Sequence, residues 1–240
     1  MRIDKLLSNM GYGSRKEVKK LLKSGAVQVD GEIVKDPQTP IKPESQTILV
    51  HGEEVLYREF IYLLMNKPAG VISATEDHEH ETVIDLLEPE DTIFRPFPVG
   101  RLDIDTVGLL LITNDGQLSH QLLSPKKHVP KTYYALIRGV VTEEDVVLFK
   151  EGVVLDDGYT TLPAELVILK ADRDIERSEI EVTITEGKFH QVKRMFEAVG
   201  KKVTYLKRIK MGPLQLDESL EEGEYRELTD DELDALKAGR

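Results

Sequence analysis

Short apolar segments of two different periodicities are the feature of this sequence that most limits its fold. Apolar runs predict strands at 60–64, 71–73, 108–113, 133–138 and 178–184, and helical spacing predicts helices at 117–123 and 191–199. The two kinds of segment are mixed without the regular spacing of βαβ units. We therefore predict an α+β fold whose larger part is a mixed, mainly antiparallel sheet flanked by helices.

A separate small domain is predicted at the N-terminus, because 240 residues suit one large and one small domain. Helices are predicted at 4–12 and 14–24, the second opened by the capping box Ser14-Arg15-Lys16-Glu17. A hairpin is predicted about Asp30-Gly31. The resulting boundaries are a helix-helix-hairpin domain with its linker at 1–58, a large domain at 59–232 and an acidic tail at 233–240.

Composition excludes several classes of protein. No apolar run approaches the roughly 20 residues of a membrane helix, and the first residues lack the apolar stretch of a signal peptide. We expect a cytoplasmic protein without membrane contact. The sequence has no cysteine, which excludes disulfides and the cysteine-ligated zinc of nucleobase deaminases.

The charge is distributed unevenly along the chain. A formal net charge of -12 argues against a polyanionic partner. However, residues 1–24 hold seven Lys/Arg against two Asp/Glu, residues 186–210 hold eight against two, and residues 217–240 hold three against ten. Such segregation can steer a polyanion to one face, although a solvated lysine-rich helix is the commoner meaning of a single basic run.

The most informative segment is Gly100-Arg101-Leu102-Asp103-Ile104-Asp105-Thr106, which precedes an apolar strand. Two carboxylates at this spacing suit acid and base chemistry or a metal, but an aspartate in such a turn more often only caps the loop. These alternatives stay open on the residues alone. His78-Glu79-His80 also has metal-like spacing, but it lies in an acidic run that indicates a solvated loop, and we expect no metal.

The first 55 residues resemble the S-four RNA-binding domain, in which the second helix and its turn present basic side chains to RNA. Phosphate contacts of this kind position a protein on RNA and carry little sequence information. The alternative is that these cations only solvate a helix. The resemblance implies RNA contacts by Arg2, Lys5, Ser14, Arg15, Lys16 and Lys19.

The larger region resembles the pseudouridine synthases of the RsuA and RluA superfamily. The segment around Asp103 matches their Gly-Arg-Leu-Asp signature, and three further matches follow the family's order: Asn66-Lys67-Pro68, Lys131-Thr132-Tyr133 and the segment 186–195. The resemblance implies that Asp103 is the nucleophile that isomerises a uridine in RNA. With the first domain, it spans almost the whole chain.

Further roles follow from the same resemblance. Tyr133 is expected to stack on a flipped-out base, and Lys193 to be the charge partner of Asp103 where the RluA branch carries Arg. Lysine lacks the bidentate fork of arginine, so we expect a less rigid pair. Arg101 is expected to fill the gap left by the base or to brace the loop. The remaining implied residues are Ile184, Thr106 and Gly108 at the base pocket and Arg194 as an RNA contact and alternative charge partner.

Details of the motifs favour one branch of the family. Segments 102–106, 115–120 and 190–195 look like the RsuA branch, and large-subunit relatives more often carry an Asn-Arg pair in place of Phe189-His190. We expect a monomer that modifies the RsuA-type uridine of 16S rRNA in a small-subunit assembly particle, without a cofactor. The alternatives are a 23S rRNA synthase, a non-catalytic rRNA-binding assembly factor, and a methyltransferase, for which we find no nucleotide-binding loop.

Overall fold

The computed structural model describes residues 1–239 in two compact units. The first unit comprises Met1–Ile61 and Leu87–Pro96, and the second comprises Tyr62–Leu86 and the chain from Phe97 onward. The predicted boundaries assign the segment Leu87–Pro96 to the large domain, whereas in the structure it belongs to the first unit. Its Ile93 side chain lies beside Gly11, within the first unit.

The first unit contains a helical pair and a four-stranded antiparallel sheet of order β2-β1-β3-β4. The capping box of Ser14 with Glu17 is confirmed. The Asp30-Gly31 hairpin is also confirmed, with positive φ at both residues, as a type I′ turn requires. The elements are α1 (Ile3–Asn9), α2 (Arg15–Lys23), β1 (Val27–Val29), β2 (Glu32–Ile33), β3 (Ile48–Val50), β4 (Glu53–Glu54) and α3 (Pro89–Thr92).

Strand β4 lies at the end of the first predicted domain, where no strand was predicted. It has two exposed glutamates and no apolar alternation, so only its pairing with β3 reveals it. The core of this unit joins both helices to the sheet and is formed by Ile3, Leu6, Leu7, Val18, Leu22, Val27, Ile41 and Ile48, among others.

The second unit is built on a nine-stranded sheet flanked by helices. Its elements are β5 (Tyr62–Lys67), β6 (Phe97–Pro98), β7 (Val107–Thr113), α4 (Gly116–Leu123), a 3-10 turn (Pro125–Lys127), β8 (Lys131–Arg138), α5 (Glu143–Glu151), β9 (Glu165–Asp172), β10 (Arg177–Ile184), α6 (Gln191–Ala198), β11 (Lys202–Met211), β12 (Leu214–Gln215), β13 (Tyr225–Glu227) and α7 (Asp230–Ala238).

The main path of this sheet runs β13-β5-β7-β11-β8-β10-β9, with β12 beside β11 and β6 beside β7. Only β7 and β11 pair in parallel among the described strands. The predicted α+β architecture with a mixed, mainly antiparallel sheet is confirmed. The predicted strand at 71–73 is not formed, because Ile72 makes only an isolated bridge with Thr82.

The predicted acidic tail at 233–240 is also not observed as such. Residues 230–238 form helix α7, whose capping box joins Thr229 to Glu232. Leu236 is buried in the core of the second unit, with Leu233 packed against the same cluster. Two leucines spaced by three residues face the sheet, so the acidic residues occupy the outer face. Position 240 lies outside the described residues.

No helix among residues 1–239 has the length and apolar character needed to cross a membrane.

Candidate active site

Asp103 lies in a tight turn that leads directly into β7. The Thr106 N–H donates to the carbonyl oxygen of Asp103 at 3.0 Å and closes this turn. Strand β7 is buried along its whole length, whereas the Asp103 side chain remains 30% exposed. The turn therefore presents the Asp103 carboxylate, together with that of Asp105, at the start of a buried strand.

Lys193 reaches this carboxylate from the first turn of α6. Its Nζ lies 3.0 Å from Asp103 Oδ2 and 2.7 Å from Asp105 Oδ1. Helix α6 buries Val192 and Met195 on one face, which leaves Lys193 half-buried beside the turn. The structure thus joins the predicted pair of Asp103 and Lys193, and it adds Asp105 as a second partner with a shorter contact.

The shared contact has electrostatic consequences for Asp105 and Lys193. The hydrogen bond from Lys193 lowers the pKa of Asp105 below its usual value and outweighs its partial burial. Burial disfavours the Lys193 ammonium, but hydrogen bonds to Asp105 and Asp103 outweigh that cost and raise its pKa. Lys193 is therefore a fixed positive charge at neutral pH.

His190 is a second neighbour of the Asp103 carboxylate, after Lys193, and was not among the predicted site residues. Its Nε2 lies 3.5 Å from Asp103 Oδ1. It caps α6 with a left-handed backbone, φ 48°, which is uncommon for a residue other than glycine. The motif 186–195 contained His190, but nothing in the sequence indicated that its side chain approaches the carboxylate.

Lys67 binds the backbone of the Asp103 turn through hydrogen bonds to its carbonyl oxygens. Its side chain is fully buried at the end of β5. Its Nζ donates to the carbonyl oxygens of Pro68 at 2.9 Å, Thr106 at 2.9 Å and Asp103 at 3.2 Å, with that of Ile104 at 3.5 Å. Burial lowers its pKa to about 8, although the charges of Asp105 and Asp103 oppose that shift. The cation ties the turn to β5.

Two further contacts fix the same turn. The Ser73 hydroxyl accepts from the Leu102 N–H at 3.0 Å and donates to the Leu102 carbonyl at 3.1 Å. The Gly70 N–H donates to the Ile104 carbonyl at 2.8 Å. The segment that follows Asn66-Lys67-Pro68 therefore binds the backbone of the Asp103 turn through hydrogen bonds. The motif alone did not indicate this role.

The other predicted pocket residues lie on neighbouring strands. Tyr133 is buried on β8, where it pairs with Arg208 of β11 and Val182 of β10. Arg208 in turn pairs with Gly108 of β7, so two strand steps separate Tyr133 from the end of the Asp103 turn. Ile184 is buried at the end of β10.

The close pairing of β7 with β11 explains why residue 108 is a glycine. Gly108 has φ 103°, and a Cβ there would lie 2.3 Å from the Arg208 carbonyl oxygen and 2.9 Å from its nitrogen. Only glycine permits this approach, which brings β7 beside β11 in parallel.

The structure does not bring Arg194 to Asp103. Its Nε lies 2.7 Å from Asp156 Oδ1, and its Nη2 lies 2.7 Å from Asp157 Oδ2. These carboxylates raise the pKa of Arg194 further. Arg194 is therefore bound away from the position predicted for an alternative charge partner of Asp103. Arg101 is exposed and forms no hydrogen bond or ion pair with residues 1–239.

The basic residues predicted in the first unit fall into two groups. Lys5, Arg15, Lys16 and Lys19 are exposed. Arg2 instead forms a bidentate ion pair with the buried Asp4, at 3.0 and 2.6 Å, and the Ser14 hydroxyl is used by the capping box. Four exposed cations of this unit are thus available to meet an anion.

No group of three or more His, Asp or Glu side chains that could hold a metal ion occurs in the described part of the chain. His80 lies 3.4 Å from Asp77 in an exposed loop.

Comparison with known families gives two matches. Residues 61–198 match the family described as RNA pseudouridylate synthase, and residues 1–46 match the S4 domain. The first match lies mainly in the second unit and includes the Asp103 turn and the start of α6, whereas the second match lies in the first unit.

Individual relatives are similar along their whole length. A Bacillus subtilis (strain 168) protein named uncharacterized RNA pseudouridine synthase YtzG is 56% identical, with 98% of each chain covered. Ribosomal small subunit pseudouridine synthase A of Vibrio cholerae is 41% identical, with 98% of this chain and 99% of the relative covered. Ribosomal large subunit pseudouridine synthase B of Bacillus subtilis is 39% identical, with 99% and 96% covered.

A solved structure described as a pseudouridylate synthase is 38% identical and superposes with a TM-score of 0.68. The alignment covers 98% of this chain and 99% of that one. The fold described above is therefore similar to that of a pseudouridylate synthase over nearly its full extent.

Proposed function

We propose that this chain, which belongs to the RNA pseudouridylate synthase family and carries an S4 domain, isomerises one uridine of 16S rRNA with Asp103 as the nucleophile. Its family consists of isomerases that act on uridine in RNA. The proposed mechanism is supported by the position of the Asp103 carboxylate. It lies on a turn whose backbone is hydrogen-bonded by Lys67, and its Oδ2 atom lies 3.0 Å from Lys193 Nζ.

The reaction exchanges one bond of the nucleotide for another. The bond from sugar C1′ to uracil N1 breaks, a bond from C1′ to C5 forms, C5 loses a proton and N1 gains one. No oxidant, reductant or second substrate is required. A carboxylate must be ionised to attack carbon, whether at C1′ or at C6 of the base. Lys193 Nζ donates to Asp103 Oδ2 at 3.0 Å and so orients this carboxylate.

Access to the uridine requires an extruded base. Flipping costs roughly a few kcal/mol of unstacking, and less where the base is already unpaired. We propose that Tyr133 stacks on the extruded base, that Ile184 forms an apolar wall, and that Arg101 enters the space left in the RNA. The exposed, unpartnered guanidinium of Arg101 among the described residues supports this last role.

The choice of 16S rRNA rests on particular residues. Overall identity does not discriminate, since the small-subunit relative is 41% identical and the large-subunit relative 39%. The pair Phe189-His190 supports the small-subunit assignment, because this segment resembles the corresponding motif of the RsuA branch. His190 also lies 3.5 Å from Asp103, so the distinguishing pair is part of the site.

The test is tritium release from RNA labelled at C5 of uridine. We expect release from 16S rRNA particles without an added cofactor, and none from the Asp103→Asn variant. Asp105→Asn is the matched control, because Asp105 also binds Lys193 but is 66% exposed. We expect that variant to retain measurable release.

Three results would contradict parts of the proposal. Wild-type release by Asp103→Asn would remove the nucleophile assignment. Release from 23S rRNA particles alone would replace the 16S assignment with the large-subunit alternative. Absence of release from either RNA, with binding intact, would favour the non-catalytic assembly factor.

A further inference from the structure

Phe189 is an exposed aromatic side chain beside the candidate active site. It is 76% exposed, more than any other large hydrophobic side chain in the described part of the chain. An apolar ring left in water gains none of the free energy that full burial of a Phe side chain contributes to folding. An exposed ring next to a candidate active site is therefore a candidate contact for a ligand.

The backbone that carries Phe189 is held rigidly. Buried Gln191 accepts from the Lys188 N–H and donates to Glu186, both at 2.9 Å. Arg194 donates to the Phe189 carbonyl at 3.2 Å. The ring therefore projects from a pre-formed turn, so binding of a partner that stacks on it costs little ordering of that turn.

His190 connects this ring to the nucleophile. The two rings are stacked, with centroids 3.7 Å apart and planes inclined by 20°. The imidazole Nε2 lies 3.5 Å from Asp103 Oδ1. His190 thus covers one face of the Phe189 ring and also lies beside the Asp103 carboxylate. The imidazole ring therefore separates Phe189 from Asp103.

We propose that the uncovered part of the Phe189 ring stacks on an unpaired RNA base adjacent to the target uridine. This inference rests on the proposed function, because the target itself must lie at Asp103. Specific RNA recognition uses unpaired bases stacked on aromatic side chains. Lys188, the residue before Phe189, is exposed, and its Nζ lies 4.6 Å from the centroid of the Tyr159 ring. This cation beside Phe189 suits a polyanion better than an apolar protein partner.

The experiment combines a protein change with an RNA change. Phe189→Leu keeps apolar cover over His190 but removes the π face. With a 16S rRNA fragment that contains the target, we expect this variant to raise KM about 10-fold with little change in kcat. An RNA with an abasic nucleotide next to the target should weaken wild-type binding by a similar factor, and should weaken Phe189→Leu no further.

A fluorescence measurement locates the contact directly. The chain has no tryptophan, so Phe189→Trp introduces a single reporter. We expect its emission to be quenched by the RNA fragment in the Asp103→Asn background, where turnover is absent. Ile175→Trp is the control, because Ile175 is 62% exposed in the β9–β10 hairpin and should not be quenched.

The outcomes separate this inference from the proposed function. Two RNAs are compared, with an abasic nucleotide on the 5′ or the 3′ side of the target. If each of them weakened binding by the wild type and by Phe189→Leu to the same extent, the stacking contact would be overturned. RNA binding by the Phe189→Trp variant, measured by anisotropy, without quenching of the introduced indole would overturn it as well. A wild type that binds RNA but releases no tritium would instead overturn the proposed function and leave the stacking test valid.

Discussion

The Nζ atom of Lys67 donates to the backbone carbonyl oxygen of Asp103 over 3.2 Å, from a side chain that is fully buried. A buried cation therefore fixes the turn that presents the candidate nucleophile. The Asp103 carboxylate is oriented from its other side by Lys193. One lysine binds the backbone of the turn, and the other binds the Oδ2 atom of the Asp103 side chain.

Replacement of Lys67 by Met is expected to lower kcat by about 10- to 100-fold, because a small displacement of a catalytic group is costly. Far-UV circular dichroism should stay unchanged, since a buried charge is replaced by an apolar side chain of similar length. Lys201→Met is the control. It breaks the 2.9 Å ion pair with buried Asp145, so it should lower Tm without lowering kcat. Unchanged kcat in Lys67→Met would contradict the positioning role.

The titration of Lys67 should affect how both kcat and the free energy of unfolding depend on pH. The pKa of Lys67 is lowered to about 8 in the folded protein from an ordinary value of 10.5. Above about pH 8 the neutral amine has fewer donors for the carbonyl oxygens of the turn, so kcat should fall. Between these two values the unfolded chain binds more protons, so this group makes the free energy of unfolding rise with pH.

Activity and stability should thus respond in opposite directions above pH 8. Single-turnover rates and urea unfolding across pH 7 to 10 measure the two effects. Lys67→Met should lack both transitions. A wild-type rate that is flat over this range would count against the assignment.

Replacement of Lys193 by Met should lower kcat by about 100-fold, because it removes the positive charge shared by Asp103 and Asp105. Lys193→Arg should restore most of the activity, since guanidinium also pairs with carboxylates. Glu197→Gln, an exposed change on the same helix, is the control. If Met and Arg variants were equally impaired, the role of Lys193 would not be its charge.

Gly108→Ala is expected to destabilise the protein by about 3 kcal/mol or more, through a strained backbone and a clash with the Arg208 backbone. Gly158→Ala is the matched control. Its φ is also positive, at 83°, but nothing lies within 4 Å of the added Cβ, so the cost should be about 1 kcal/mol. Urea unfolding measures both values, and equal costs would contradict the close-approach argument.

Replacement of Arg15, Lys16 and Lys19 by Ala should weaken RNA binding and reduce the slope of log affinity against log salt, because fewer counterions are released. The rate of tritium release at saturating RNA should change little. Lys35→Ala with Lys42→Ala, both exposed and outside α2, is the control pair. An unchanged salt slope in the triple variant would mean that these cations only solvate the helix.

Local signals in the sequence determined the elements that depend on neighbouring residues. The capping box of Ser14 with Glu17 and the Asp30-Gly31 turn are set within four residues, so no distant contact is needed to form them. The mixed sheet also followed from the periodicity of its apolar runs. The motifs identified the Asp103 turn, although only the family resemblance favoured a nucleophile over a loop-capping aspartate.

Tertiary structure decided what depends on contacts between distant segments. Lys67 meets Asp103 across 36 positions, and Lys193 meets it across 90. The segment predicted as a tail from 233 onward belongs to helix α7, because the rest of the unit buries Leu236. His190 borders the carboxylate through a left-handed backbone that no periodicity indicates. Sequence patterns encode local geometry and burial, whereas the partners of a buried charge are fixed only when the strands that carry them pack together.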